Sequence, residues 1–186
     1  MQAFRTVVKA SQPAFTIGFE DKLLSIGSCF SEHIGRKFSE HKFDIVINPF
    51  GQQYNPLSIS KGILRLLNPV DFEAKDLVLH EGLYHSMEHH GSFSRATGEE
   101  TVSLINTEMK RAAVQLEQAG VLFLTFGSAH VFRYKESGEV VSNCHKIPGN
   151  RFERELLSVQ EITDCLQKAL EQLWAKLPDV NVVLTV

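Results

Sequence analysis

The chain reads as an α/β protein of three layers, with a mostly parallel sheet flanked by helices. Three observations predict this class. Short apolar runs alternate with amphipathic stretches at helical spacing, the pattern of successive strand–helix units. One run, Val121 to Phe126, is apolar throughout, as a strand covered on both faces must be. The runs also exit into segments carrying Gly, Asn, Ser or Cys, where open parallel sheets place their ligand sites.

Leu23 to Ser28 forms the first strand in this reading, and Phe30 to His41 the first helix, with Phe30, Ile34 and Phe38 lining one face at four-residue spacing. Asp44 to Ile47 is a second short strand. It runs into Asn48-Pro49-Phe50-Gly51, where proline and glycine stop the ladder. Asn55-Pro56 starts a helix with an N-cap and a proline at the first helical position, and Ile59, Ile63, Leu64 and Leu67 supply its buried face before Asn68-Pro69. From Asp71 to Arg95 periodicity is weak and His80, His85, His89 and His90 accumulate, so an irregular excursion from the sheet is expected.

Val102, Ile105, Met109, Ala112, Ala113 and Leu116 mark an amphipathic helix closing at Gly120, before the apolar strand Val121 to Phe126. That strand exits through Gly127-Ser128-Ala129-His130. Val131 to Tyr134 and Glu139 to Ser142, around Ser137-Gly138, read as a hairpin leading to Asn143-Cys144-His145-Lys146. A capping box, Ser158 to Glu161, opens a last helix that buries Ile162, Leu166, Ala169, Leu170, Leu173 and Trp174. Val180 to Val186 is another parallel-type strand. Since site loops follow strand ends, the expectation is a single domain over 1–186 whose C-terminal, site-bearing block lies beyond Val186.

Of the 186 residues 43% are hydrophobic and 22% charged, and the net charge is -3, the balance of an ordinary globular chain rather than a disordered one. The 19 basic residues are scattered, which argues against a nucleic-acid partner. No apolar run reaches the length of a signal peptide core or a membrane span, so no membrane association is expected. Three cysteines, an odd number without an export signal, argue against a disulfide framework and for a reducing cytoplasm.

The strongest chemical signal is the turn Gly27-Ser28-Cys29. A thiolate at a helix N-terminus is favoured by the free amides there, and His33, four residues on, shares a helix face with Cys29. The alternative makes Cys29 a small buried hydrophobe and His33 a solvated residue. His85 and His89, with Glu88, have metal-ligand spacing only on a helix, which Gly82 and Gly91 oppose, so no metal is predicted. Arg151 and Arg154, after Pro148-Gly149-Asn150, suit an anionic group, although a solvated helix start is the commoner explanation of such a pair.

Gly27-Ser28-Cys29-Phe30 followed by Ser31 resembles the motif of the GSCFA family. Asn48-Pro49-Phe50-Gly51, Tyr54-Asn55-Pro56, His85-Ser86 with His90, Phe93 and Ser94, Thr125-Phe126-Gly127, and Asn143-Cys144-His145-Lys146 with Pro148-Gly149 resemble its further blocks, in order. That family is similar to the SGNH (GDSL-like) hydrolases. The resemblance implies a flavodoxin-like α/β fold and a nucleophile at the first strand exit, where the register favours Cys29 and keeps Ser28 as the rival. A coenzyme A-binding family linked to capsule polysaccharide synthesis has a similar Gly-Asn-Cys start.

The same resemblance implies an oxyanion or substrate-binding role for Gly27, Asn48, Gly51, Gly127 and Asn143, and an acid/base or binding role for His90 and His145. Ala129 stands where SGNH hydrolases have their oxyanion asparagine, and Asn143 is the substitute from the hairpin. The catalytic Asp and His of that superfamily follow a strand that here ends the chain. The function implied is a hydrolase or acyltransferase acting on a small-molecule or carbohydrate acyl ester, or on a coenzyme A thioester, without a cofactor. The alternative is a non-catalytic domain recognising a glycan or nucleotide-like ligand. No signal for oligomeric state is present.

Overall fold

The computed structural model describes residues 14–186. Strand β1 (Lys22–Gly27) enters helix α1 (Cys29–Glu40), and β2 (Asp44–Ile47) leads to α2 (Pro56–Leu67). The N-cap of α2 is the predicted one: Asn55 Oδ1 accepts the Ser58 N–H at 2.8 Å, with Pro56 at the first helical position. Strands β3 (Leu77–His80) and β4 (Leu83–Ser86) precede α3 (Gly98–Glu117), which returns the chain to β5 (Ala119–Thr125). After β6 (His130–Tyr134), β7 (Val140–Val141) and β8 (Phe152–Leu156), helix α4 (Val159–Lys176) opens on the Ser158–Glu161 capping box and hands the chain to β9 (Asn181–Thr185).

Four strands form a parallel sheet in the order β2-β1-β5-β9, so all four carboxyl ends point the same way. Alternation along the strands builds the layers. Leu24, Ile26, Leu122 and Leu124 meet Ile59, Ile63, Ile105, Met109, Ala169 and Leu173 of α2, α3 and α4 in the main core. On the other face, Phe123 of β5 packs against Phe38 of α1, ring centroids 5.4 Å apart. The protein is thus the three-layer α/β fold the sequence predicts.

Several element expectations change. Helix α1 starts one residue earlier, at Cys29, and rotates Phe30 out to 50% exposure; Ser31 and Gly35 are its buried residues. Gly35 is why: a Cβ there would stand 2.8 Å from Ile47, so the helix lies close on β2 along that line. The segment expected to be irregular contains the antiparallel hairpin β3–β4, whose two-residue turn, Glu81-Gly82, has φ of +48° and +76°. Strand β8, where the sequence suggests a solvated helix start, pairs antiparallel with β6 and makes a three-stranded sheet in the order β7-β6-β8. Trp174 is 42% exposed, its Nε1–H donated to the Val180 carbonyl at 3.0 Å. Among the described residues no helix is long and apolar enough to cross a membrane.

Candidate functional site at the strand exits

The exit of β1 is locked to the exit of β5. Gly27 has φ +149°, and a Cβ on it would come within 2.1 Å of the Thr125 carbonyl oxygen, so only glycine allows the two strand ends to meet. The Ser28 N–H then donates to Thr125 O (3.0 Å) and Oγ1 (2.9 Å), and the two hydroxyls lie 3.1 Å apart. Ser28 is buried, and its side chain does not cap α1. The first amides of that helix therefore keep their donors uncapped by a side chain, and with them the partial positive charge of the helix terminus.

Cys29 is the first residue of α1 and is exposed. Beside it stands the phenol of Tyr54, whose pKa is raised above the usual tyrosine value, first by burial and then by the neighbouring Cys29 sulfur. The Tyr54 hydroxyl donates to Gln52 Oε1 at 2.8 Å, and Gln52 Nε2 donates to Glu32 Oε2 at 2.6 Å. Glu32 also pairs with Arg36. The Gln52 hydrogen bond, ahead of the Arg36 charge, holds its carboxyl below the ordinary range. A hydrogen-bonded chain thus runs from the phenol beside Cys29 to a carboxylate on the next turn of the same helix.

The predicted oxyanion and substrate-binding candidates make the following contacts. Asn48, at φ +44°, accepts the Gly27 N–H on Oδ1 at 2.9 Å, while its Nδ2 is buried without a partner among the described residues. The expectation that Gly51 offers a backbone donor meets an N–H already donated to the Asn48 carbonyl at 2.7 Å. Gly51 lies where a Cβ would meet His90 Cβ at 2.3 Å, so its bareness admits the histidine segment. Gly127 similarly donates to the Tyr54 carbonyl (2.9 Å) and leaves room for the Tyr54 ring. Asn143 Oδ1 accepts the His145 N–H at 2.8 Å.

The histidines divide. His145 is buried; its Nε2 meets the Ser86 carbonyl at 2.8 Å, its ring stacks on His85 at 4.5 Å, and burial lowers its pKa to about 4. It is a neutral, inward-facing group. His90 caps a short 3-10 turn, its Nδ1 accepting the Ser92 N–H at 3.2 Å, so its free nitrogen is Nε2. His33 is solvent-exposed on α1. His85 and His89 point apart, His89 into a cage of Phe50, Phe72 and Phe93. Among the described residues no group of three His, Cys, Asp or Glu side chains is arranged to hold a metal.

Next to the turn opens a cleft of about 480 Å³ lined by Tyr54 and Ser128 at the strand exits and by Phe132, Asn143, Cys144 and Arg154 from the small sheet and its loops. Tyr54, Gln52 and Glu32 are not among the candidates the sequence suggests. Tyr54 sits in Tyr54-Asn55-Pro56, a segment whose cap and proline account for it fully as a helix start. Glu32 carries a weak signal, lying three residues past Cys29 on the helix.

Comparison with known families finds that the model of the GSCFA family matches residues 22–186. No curated protein and no solved structure matches the chain.

Proposed function

The chain belongs to the GSCFA family, and from that premise we propose that it transfers acyl groups from an ester or thioester, in the manner of an SGNH-like hydrolase or acyltransferase, with Cys29 as nucleophile. The observation that carries this reading is the exposed thiol at the uncapped N-terminus of α1, on the carboxyl edge of a parallel sheet and beside a cleft. The Cys29 thiol gives its proton to solvent water and its sulfur adds to the acyl carbonyl. The tetrahedral oxyanion is held by the first amides of α1, a contribution of about 3 kcal/mol per donor. Collapse breaks the bond to the alcohol or thiol, which leaves with a proton, and water or an acceptor hydroxyl then takes the acyl group from sulfur.

Tyr54, kept protonated, stands beside the sulfur and reaches the thiolate or the leaving atom by turning its hydroxyl hydrogen away from Gln52, and His90 is the histidine with a nitrogen to offer. Ser28 is held by Thr125, which favours Cys29 over it as the attacker. The test replaces Cys29 and, separately, Ser28 by Ala and follows p-nitrophenyl acetate and acetyl-coenzyme A turnover. Cys29→Ala abolishes it and Ser28→Ala retains a measurable fraction; retention in Cys29→Ala overturns the covalent route.

A second reading, a domain that binds a glycan or nucleotide-like ligand without turning it over, is favoured by Ala129 and by the absence, among the described residues, of a histidine hydrogen-bonded to Cys29. Iodoacetamide separates the two. Cys144 and Cys165 are half-buried, and burial pushes both thiols up, so they react slowly at neutral pH. Rapid modification mapped to Cys29 by mass spectrometry supports the enzyme, and a rate no greater than that of the other two supports the binding domain.

A further inference from the structure

Two arginines, Arg151 and Arg154, stand out in the sequence as partners for an anionic group, and the structure separates them. Arg151 lines a different cleft, of about 580 Å³, where it pairs with Glu136 and leans over the Tyr134 ring. Arg133, on β6, forks onto Glu155 at 2.9 and 3.0 Å. Arg154 lines the cleft beside Cys29 and has no ion pair or side-chain hydrogen bond among the described residues.

The strand register explains why it is left without a carboxylate. Arg154 is paired with Phe132, and successive residues of a strand face opposite ways, so Glu153 and Glu155 turn to the face where Arg133 takes Glu155. His130, two residues before Phe132, shares the Arg154 face. Its backbone N–H donates to Ser128 Oγ at 3.0 Å, and its ring Nδ1 is buried without a partner among the described residues. Among the described residues no Asp or Glu lines the cleft. One end of it therefore presents a guanidinium, an imidazole and the Asn143 amide. The other end reaches Tyr54, which touches both the cleft and the Cys29 thiol.

A cationic, acid-free recess of this kind is complementary to a planar or tetrahedral anion, because a guanidinium forks onto carboxylate or phosphate oxygens. We infer that this cleft binds the anionic end, a phosphate or a carboxylate, of the molecule whose acyl group Cys29 attacks, with Arg154 as counter-ion and His130 and Asn143 as hydrogen-bonding partners. This rests on the acyl-transfer reading for the identity of the molecule as substrate, though not for the binding itself.

The experiment uses the 186-residue chain carrying Cys29→Ala, which cannot form an acyl-enzyme, and titrates it with inorganic phosphate and with acetate at physiological ionic strength, following amide shifts by NMR. Saturable shifts centred on Ser128, His130, Asn143 and Arg154 are expected. Arg154→Ala weakens binding by about tenfold or more, Arg154→Lys recovers part of it, and Arg151→Ala leaves it unchanged. The tighter of the two anions identifies which one the cleft is built for. Unchanged affinity in Arg154→Ala, or no saturable binding of either anion, overturns the inference. Ester turnover that survives Cys29→Ala, with anion binding intact, would overturn the role of Cys29 as nucleophile and leave the anion site standing.

Discussion

Gly27 and Ser28 carry different weights at the same turn, and the difference is measurable. Gly27 is required by the approach of the Thr125 backbone and by its own φ of +149°, neither of which a methyl group can tolerate. Gly27→Ala is expected to cost about 2–4 kcal/mol, because backbone at β1 or β5 must move. Ser28→Ala removes only the hydroxyl contact to Thr125 and keeps the backbone bonds, so its cost is about 1 kcal/mol. Urea unfolding of the two variants checks the order; equal costs would refute the close-approach account. This turn is legible in the sequence because a glycine and two small polar residues directly after an apolar run mark a strand turning into a helix. Tyr54 is not, because the Asn55 cap and Pro56 beside it fully account for its segment as the start of α2. The site residues that escape the sequence are those reached through space rather than along the chain: Tyr54 from the α2 entry, and Gln52 and Glu32 through its hydroxyl.

At the scale of elements, legibility follows period and punctuation. β1, β2, α2, α3, β5, α4 and β9 are readable because each joins an apolar pattern to a cap, a proline or a glycine. The β3–β4 hairpin is hidden for a physical reason: its turn residues are Glu81 and Gly82, and glutamate at the first position does not announce the left-handed pair that an Asn-Gly turn would. β8 is hidden because Arg151 and Arg154, after Pro148-Gly149-Asn150, read as a solvated helix start, whereas Glu153, Arg154 and Glu155 are strand residues sorted to opposite faces by pairing with β6. The hairpin account makes a prediction. Glu81→Asn relieves a residue held at φ +48° and is expected to stabilise the protein by about 0.5 kcal/mol in thermal or urea unfolding. A loss of stability would mean that the Glu81 side chain, near His80, matters more than its backbone.

The whole molecule is a three-layer α/β body joined to its β-hairpin and small sheet through a buried polar seam, and that seam should set its response to acid. Gln53 Nε2 bridges the Glu88 carbonyl (3.1 Å) and Ser142 Oγ (3.0 Å), Arg65 forks onto Glu88, and His89 is fully buried beside Ser86. Burial, opposed by the Glu88 charge and reinforced by Arg65 and His145, lowers the pKa of His89 to about 3, and burial lowers that of His145 to about 4. Both lie below the ordinary histidine value of 6.5. Above pH 6.5 the rings are neutral folded or unfolded and contribute no pH dependence. Below it the unfolded chain takes up protons that the folded one refuses, so stability falls with pH until about 4 for His145 and about 3 for His89. Burial raises the Glu88 pKa, but Arg65 and Lys61 together bring it below the usual value, so its contribution is lost only at more acidic pH and adds nothing between about 6.5 and 5. In that window each histidine accounts for about 2 kcal/mol. Urea unfolding at about pH 7 and pH 5 should show a large drop in the parent chain and a smaller one in His89→Phe, whose ring fits among Phe50, Phe72 and Phe93 and cannot titrate. Hydrogen exchange at about pH 5 should find β4 and residues 86–94 opening ahead of β1 and β5, because the seam gives way before the sheet. If His89→Phe loses as much stability as the parent, the acid response originates elsewhere and the seam is not the weak joint of the fold.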